Sequence, residues 1–162
     1  SCRLLCVCWL AFFPYPSIFA HLMKSNKTLL IIAAVLAGSS VLIGAFAAHA
    51  LKAQLSPQAL GWIDTGVQYQ QFHSLALLIL AFAIKQWPCW PGLAKAAYSF
   101  IMGILLFSGS LYFFAITGMA QADHIGLALL TPLGGLAFLI GWAILIWAAT
   151  HADTDFGKQD DR

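Results

Sequence analysis

A chain of 162 residues that is 61% hydrophobic and 9% charged, without a single glutamate and with a mean hydropathy of +0.84, cannot coat a water-facing surface, because a soluble domain carries about 25% charged residues. An integral membrane protein hides most of its exterior in hydrocarbon and needs few charges, so these numbers select that class. The formal charge of +2 comes from cations scattered one or two at a time, with no basic stripe beside aromatic residues, which argues against nucleic acid as a partner and leaves the bilayer itself as the first one.

The chain opens on SCRLLCVCWLAFFPYPSIFAHL, and its first methionine is Met23, followed by Lys24, Ser25, Asn26 and Lys27. The apolar run from Leu4 to Phe13 is too short to span and ends at Pro14 and Pro16. Residues 1–22 therefore read as an overextended start, with a degenerate signal sequence as the alternative. Cysteines stand at 2, 6, 8 and 89. Cys6-Val7-Cys8 has the wrong spacing for a zinc pair, so neither a disulfide framework nor a cysteine metal site is expected.

Four stretches are apolar enough to cross a hydrocarbon layer that needs about 20 helical residues: roughly Thr28 to Leu51, Phe72 to Trp87, Ala97 to Thr117 and Gly126 to Thr150. The second is short alone, but Ser56-Pro57 is a good helix start, with serine as N-cap and proline at the first helical position. The helix then runs from near Pro57, with Trp62 and Tyr69 as interfacial anchors. The expected fold is an all-α bundle of four membrane spans with short loops. Lys24, Lys27, Lys85, Lys95, Lys158 and Arg162 lie on one side and Lys52 on the other, so the positive-inside rule puts both termini in the cytoplasm. The division of the chain is a doubtful leader, a membrane domain over 23–150, and a polar cytoplasmic tail over 151–162.

Depth can be counted along the helices at about 1.5 Å per residue. From Trp87, His73 lies about 21 Å up; from Lys95, Ser108, Ser110 and Tyr112 lie at about 20, 22 and 26 Å; Thr131 is about 24 Å above Trp147, and His49 about 33 Å above Lys27. The cytoplasmic halves, such as LLIIAAVL and LLILAFAI, contain almost nothing that forms hydrogen bonds. The polar groups thus converge in the outer half, where lipid tails would leave them unsatisfied unless they face one another, a cavity or water. Trp62, Gly66, Tyr69 and His73 form a helical stripe that presents Tyr69 and His73 to this cluster, with Gln70 on nearly the same face. The competing explanation is packing: polar side chains in membrane helices act as interhelical glue and small residues allow close approach. Ser40, Gly44 and Ala48 form such a track in the first span. Gly103 and Gly109 suggest contacts for the third, and Gly134, Gly135 and Gly141 for the fourth. His21, Asp123, His124 and His151 read as leader, loop and tail.

Four blocks, GAFAAHALKAQL, WIDTGVQYQQFHSLALL, LFSGSLYFFAITG and TPLGGLAFLIGWAIL, resemble, in this order, the YgdD-like family of small bacterial inner-membrane proteins, which is classed as a domain of unknown function. The resemblance covers about Lys27 to Ala149. It departs from the family pattern at Ala47, where that pattern usually has glycine. What it implies is a four-helix integral protein of the bacterial inner membrane with no assigned reaction.

Thr131-Pro132 allows two geometries. In a continuous helix Pro132 leaves the carbonyl of Ala128 without its partner and bends the span; otherwise Thr131 caps a helix beginning at Pro132. The bend is the expected outcome. For function, the composition favours a structural or partner-binding membrane protein, with a homo-oligomer or another membrane protein as the partner. The alternative is a carrier or channel component for a small solute, proton or ion using the outer cluster. Haem or metal between His49 and His73 is disfavoured by heights that differ by about 12 Å, so no cofactor and no metal are expected. No nucleophile with a base, acidic pair within a span or phosphate loop points to catalysis.

Overall fold

The computed structural model describes residues 26–87, 90, 92–118 and 125–151. The leader, Cys89, Asp123, His124 and the tail beyond His151 lie outside the described residues. Helix α1 is Asn26–His49 and α2 is Pro57–Gln86. The third span is built from α3 (Leu93–Gly103), a π-helical turn (Ile104–Ser108) and α4 (Gly109–Thr117). A short α5 (Ile125–Ala128) leads into α6 (Leu130–His151). Among the described residues, four helices are long and apolar enough to cross a membrane, and none of the described chain is strand.

The starts and stops follow local chemistry. Ser56 is extended and its hydroxyl accepts the Ala59 N–H, while Pro57 takes the first turn where its missing donor costs nothing. Thus the second span does begin at Pro57, and at 30 residues it is about 45 Å long, well over the hydrocarbon thickness. Gly118 ends α4 at φ +66°, a left-handed stop suited to glycine. The fourth span is interrupted at Leu129, one residue past Ala128, and the ladder resumes when the Leu133 N–H donates to the Leu129 carbonyl. The interruption falls where Pro132 removes a donor; a helix starting at Pro132 under a Thr131 cap is not what forms.

Helix α1 packs along α2, α2 along α3 and α4, and α6 along α3 and the π-helical turn. The buried positions of α2 are Ala59, Ile63, Gly66, Gln70, His73, Ser74, Leu77, Leu80 and Ala81, a seven-residue repeat of the kind that antiparallel helix pairs use. On α1 the buried positions are Leu29, Ala33, Ser40 and Ala47. That seam corrects the expected track. Steps of four residues overshoot a full turn by about 40°, so Ala48 has rotated to the exposed side while Ala47, seven residues from Ser40, takes the buried place. Gly44 is half-buried, and a Cβ there would meet Val67 Cγ1 at an ordinary 3.5 Å.

The glycines of the third and fourth spans divide in the same way. A Cβ on Gly134 would strike the backbone of Phe107, one on Gly103 the ring of Phe138, and one on Gly141 the ring of Phe100. Gly109 faces open space and Gly135 has only Phe107 Cδ2 at 3.9 Å. Leu42, Phe72, Ile79, Phe82, Leu139 and Ile146 are each more than half exposed, which is where apolar side chains belong when the solvent is lipid.

Candidate functional site: a buried polar network beside a groove

Gln70, 4% exposed, is the junction of the polar network. Its Nε2 donates one hydrogen to the Leu36 carbonyl and the other to Ser39 Oγ, both at 2.8 Å. Its Oε1 accepts from the Tyr112 hydroxyl at 2.9 Å. The Leu36 carbonyl can only accept, which fixes the amide with its nitrogen toward α1 and its oxygen toward α4. Ser39 donates in turn to the Leu36 carbonyl, and Ser74 donates to the Gln70 carbonyl at 2.6 Å.

The π-helical turn brings the third span's serines into register. Ser108 donates to the Gly66 carbonyl on α2 at 2.9 Å, and Ser110 shares a 2.7 Å bond with Thr131 on α6. A Cβ on Gly66 would lie 2.6 Å from the Tyr112 ring, so only glycine lets that ring lie against α2. Lower in the chain Ser99 donates to the Ala137 carbonyl. These bonds link all four spans.

His73, also 4% exposed, ties α2 to α6. Its Nδ1 meets the Tyr69 carbonyl at 2.9 Å, and its Nε2 meets the Trp142 indole nitrogen at 3.3 Å. A carbonyl only accepts and an indole only donates, so the imidazole is neutral, with its proton on Nδ1. Its ring stacks on Phe138, with centroids 3.6 Å apart, and is flanked by Phe100 at 5.2 Å.

The expected site residues fall into three groups. Gln70, Tyr112, Ser108, Ser110, Thr131 and His73 all take part in bonds between spans or next to them. Tyr69 is 43% exposed; its ring lies against Phe107 at 4.5 Å, and among the described residues its hydroxyl has no partner. His49 is exposed at the end of α1, apart from the network. Ser39, Ser74, Ser99 and Trp142 belong to the bonded set although the sequence did not single them out as site residues. Among the described residues no three His, Cys, Asp or Glu side chains gather into a metal-sized group.

Beside the network, between α2 and α6, runs an open groove of about 880 Å³. His73, Phe107 and Phe138 form its floor, and Gln68, Tyr69, Phe72, Gly135, Leu139 and Trp142 line its sides and mouth. Its lining is largely apolar: Gln68 and Tyr69 stand toward the Pro57 end of α2, and the ring nitrogens of His73 and the indole nitrogen of Trp142 are already bonded.

Residues 43–135 match a family described as a protein of unknown function, DUF423. The chain is 39% identical over 130 residues to the UPF0382 inner membrane protein YgdD of Escherichia coli K12, covering 77% of this chain and 91% of the relative. It is 43% identical over 109 residues to a UPF0382 membrane protein of Haemophilus influenzae, covering 67% and 82% of the two chains, and 37% identical over 123 residues to the membrane protein YwdK of Bacillus subtilis, covering 76% and 96%. No solved structure matches. Four apolar helices and relatives that share most of their length with it agree: the chain belongs to the DUF423 family and is a multi-pass protein of the bacterial inner membrane.

Proposed function

We propose that the protein is a membrane-embedded scaffold, structural or partner-binding, whose polar network in the outer half of the bundle holds the spans in one arrangement, with both termini in the cytoplasm. The observation that carries this is the pairing around Gln70: both amide hydrogens and the carbonyl oxygen have partners on α1 and α4. A conduit needs groups that exchange partners with a passing solute, whereas these are consumed by contacts between helices. Ser99, deeper in the bundle, is likewise bonded to a backbone carbonyl. The outer placement is supported by Lys27, Lys85 and Lys95 at one end of the spans and Lys52 at the other.

The test is paired. In proteoliposomes carrying a pH-sensitive dye, the full chain passes protons no faster than protein-free vesicles, and in mild detergent Gln70→Leu lowers the melting temperature or the yield of any co-purifying partner. A proton flux that disappears in Gln70→Leu while the melting temperature stays unchanged would overturn the scaffold in favour of a carrier.

A further inference from the structure

The groove between α2 and α6 is distinct from the network and has features that lipid contact alone does not require. Its volume of about 880 Å³ falls within the roughly 300–1,000 Å³ of small-molecule sites. Its floor is rigid, because His73 is bonded on both nitrogens and stacked on Phe138. Its mouth is polar but uncharged: the Gln68 amide and the Tyr69 hydroxyl have no hydrogen bond among the described residues, and no Lys or Arg lines the groove. Asp64, exposed one turn above Gln68 on α2, places a negative charge near the mouth. A head with net negative charge would meet repulsion there and find no cation among the residues that line the groove. Counted from Trp87, Gln68 lies about 28 Å up, at the outer edge of the hydrocarbon.

We propose that this groove binds one uncharged, carbonyl-bearing lipid of the quinone class. Its tail lies along Phe72, Leu139 and Trp142, its flat ring meets Tyr69 and Phe107, and its carbonyl oxygens accept from Tyr69 and Gln68. Two neutral donors beside aromatic rings match two carbonyls on a flat ring. The proposal rests on the scaffold reading, which supplies the fixed floor.

The test uses the full chain in phosphatidylcholine nanodiscs and equilibrium binding of a short-tailed ubiquinone. Saturable binding of one molecule per chain is expected. Tyr69→Phe with Gln68→Ala weakens it about tenfold, the effect of losing two hydrogen bonds. Gly135→Leu abolishes it: the Cβ has room, with Phe107 Cδ2 at 3.9 Å as its neighbour, and the rest of the side chain fills the groove. Melting temperatures in the absence of quinone show that both variants fold. Three outcomes overturn the proposal: partition without saturation, saturable binding that a normally folded Gly135→Leu retains, or displacement of the quinone by phosphatidylglycerol. None of these depends on the proton-flux or Gln70→Leu results, so the groove can fail while the scaffold stands.

Discussion

Gln70 satisfies three hydrogen bonds at once, and each interhelical bond in a membrane protein contributes about 0.6 kcal/mol. Replacing it by leucine conserves much of the volume but leaves the Tyr112 hydroxyl without its acceptor, so Gln70→Leu should cost about 2 kcal/mol. Reversible unfolding in mixed detergent measures it, and a loss below about 0.5 kcal/mol would mean the network is ornamental. Gly134 makes a second test. A methyl there meets the Phe107 backbone, which cannot swing aside, so Gly134→Ala should destabilise by about 1–3 kcal/mol. Gly109→Ala, facing open space, should be neutral or gain up to about 1 kcal/mol from helix propensity. The sequence pointed to Gln70, Tyr112 and His73 because hydrogen-bonding groups inside apolar spans are conspicuous. It set Tyr69 beside His73 as the inward pair, yet a rotation of about 100° per residue puts Gln70 on the buried seam and Tyr69 at its edge. Ser39 was unreadable for another reason: within an apolar span it resembles any small packing residue, and its partner is 31 positions away.

At the scale of elements, the spans were legible from length and hydropathy, and the start of α2 from Ser56-Pro57. The π-helical turn was not, since ILLFS has no composition that separates it from ordinary helix. Its consequence is large. The turn carries one residue more than an α-helical path would, and everything after it is set by that excess. Deleting Leu105, which is exposed, should restore a plain helix and rotate α4 by about 100° relative to α3. Ser108, Ser110 and Tyr112 would then leave Gly66, Thr131 and Gln70. The deletion variant should still insert, because the span remains long enough, while losing about 2 kcal/mol or more with those three bonds; unchanged unfolding would show that the turn positions nothing. Pro132 is the converse case, an interruption that the sequence did announce. With Pro132→Ala the 128 carbonyl regains its donor, and amide exchange at Leu133 and its neighbours should slow.

For the molecule as a whole, the question is where the bilayer lies, and α2 carries its own ruler. Asp64 and Lys85 are both exposed on this helix, and among the described residues Asp64 is the one acidic side chain. Neither charge belongs in hydrocarbon, and the 21 residues between them correspond to about 32 Å of helix, close to the roughly 30 Å thickness of the apolar layer. If the two charges mark the edges of the apolar layer, Phe72 and Ile79 face lipid, and in the proposed orientation the Gln68-to-His73 segment lies at and just below the outer boundary. The excess of lysines at the other end is what supports the proposed direction, with Lys85 on the cytoplasmic side. In a background with its native cysteines replaced, Asp64→Cys should react with a membrane-impermeant maleimide added to intact cells, and Lys85→Cys only after the inner membrane is opened. Phe72→Cys and Ile79→Cys should stay unreactive under both conditions, because a thiol in lipid does not ionise. Labelling at 85 from outside would invert the topology, and labelling at 72 would place water at a position that this fit of α2 to the bilayer requires to face lipid.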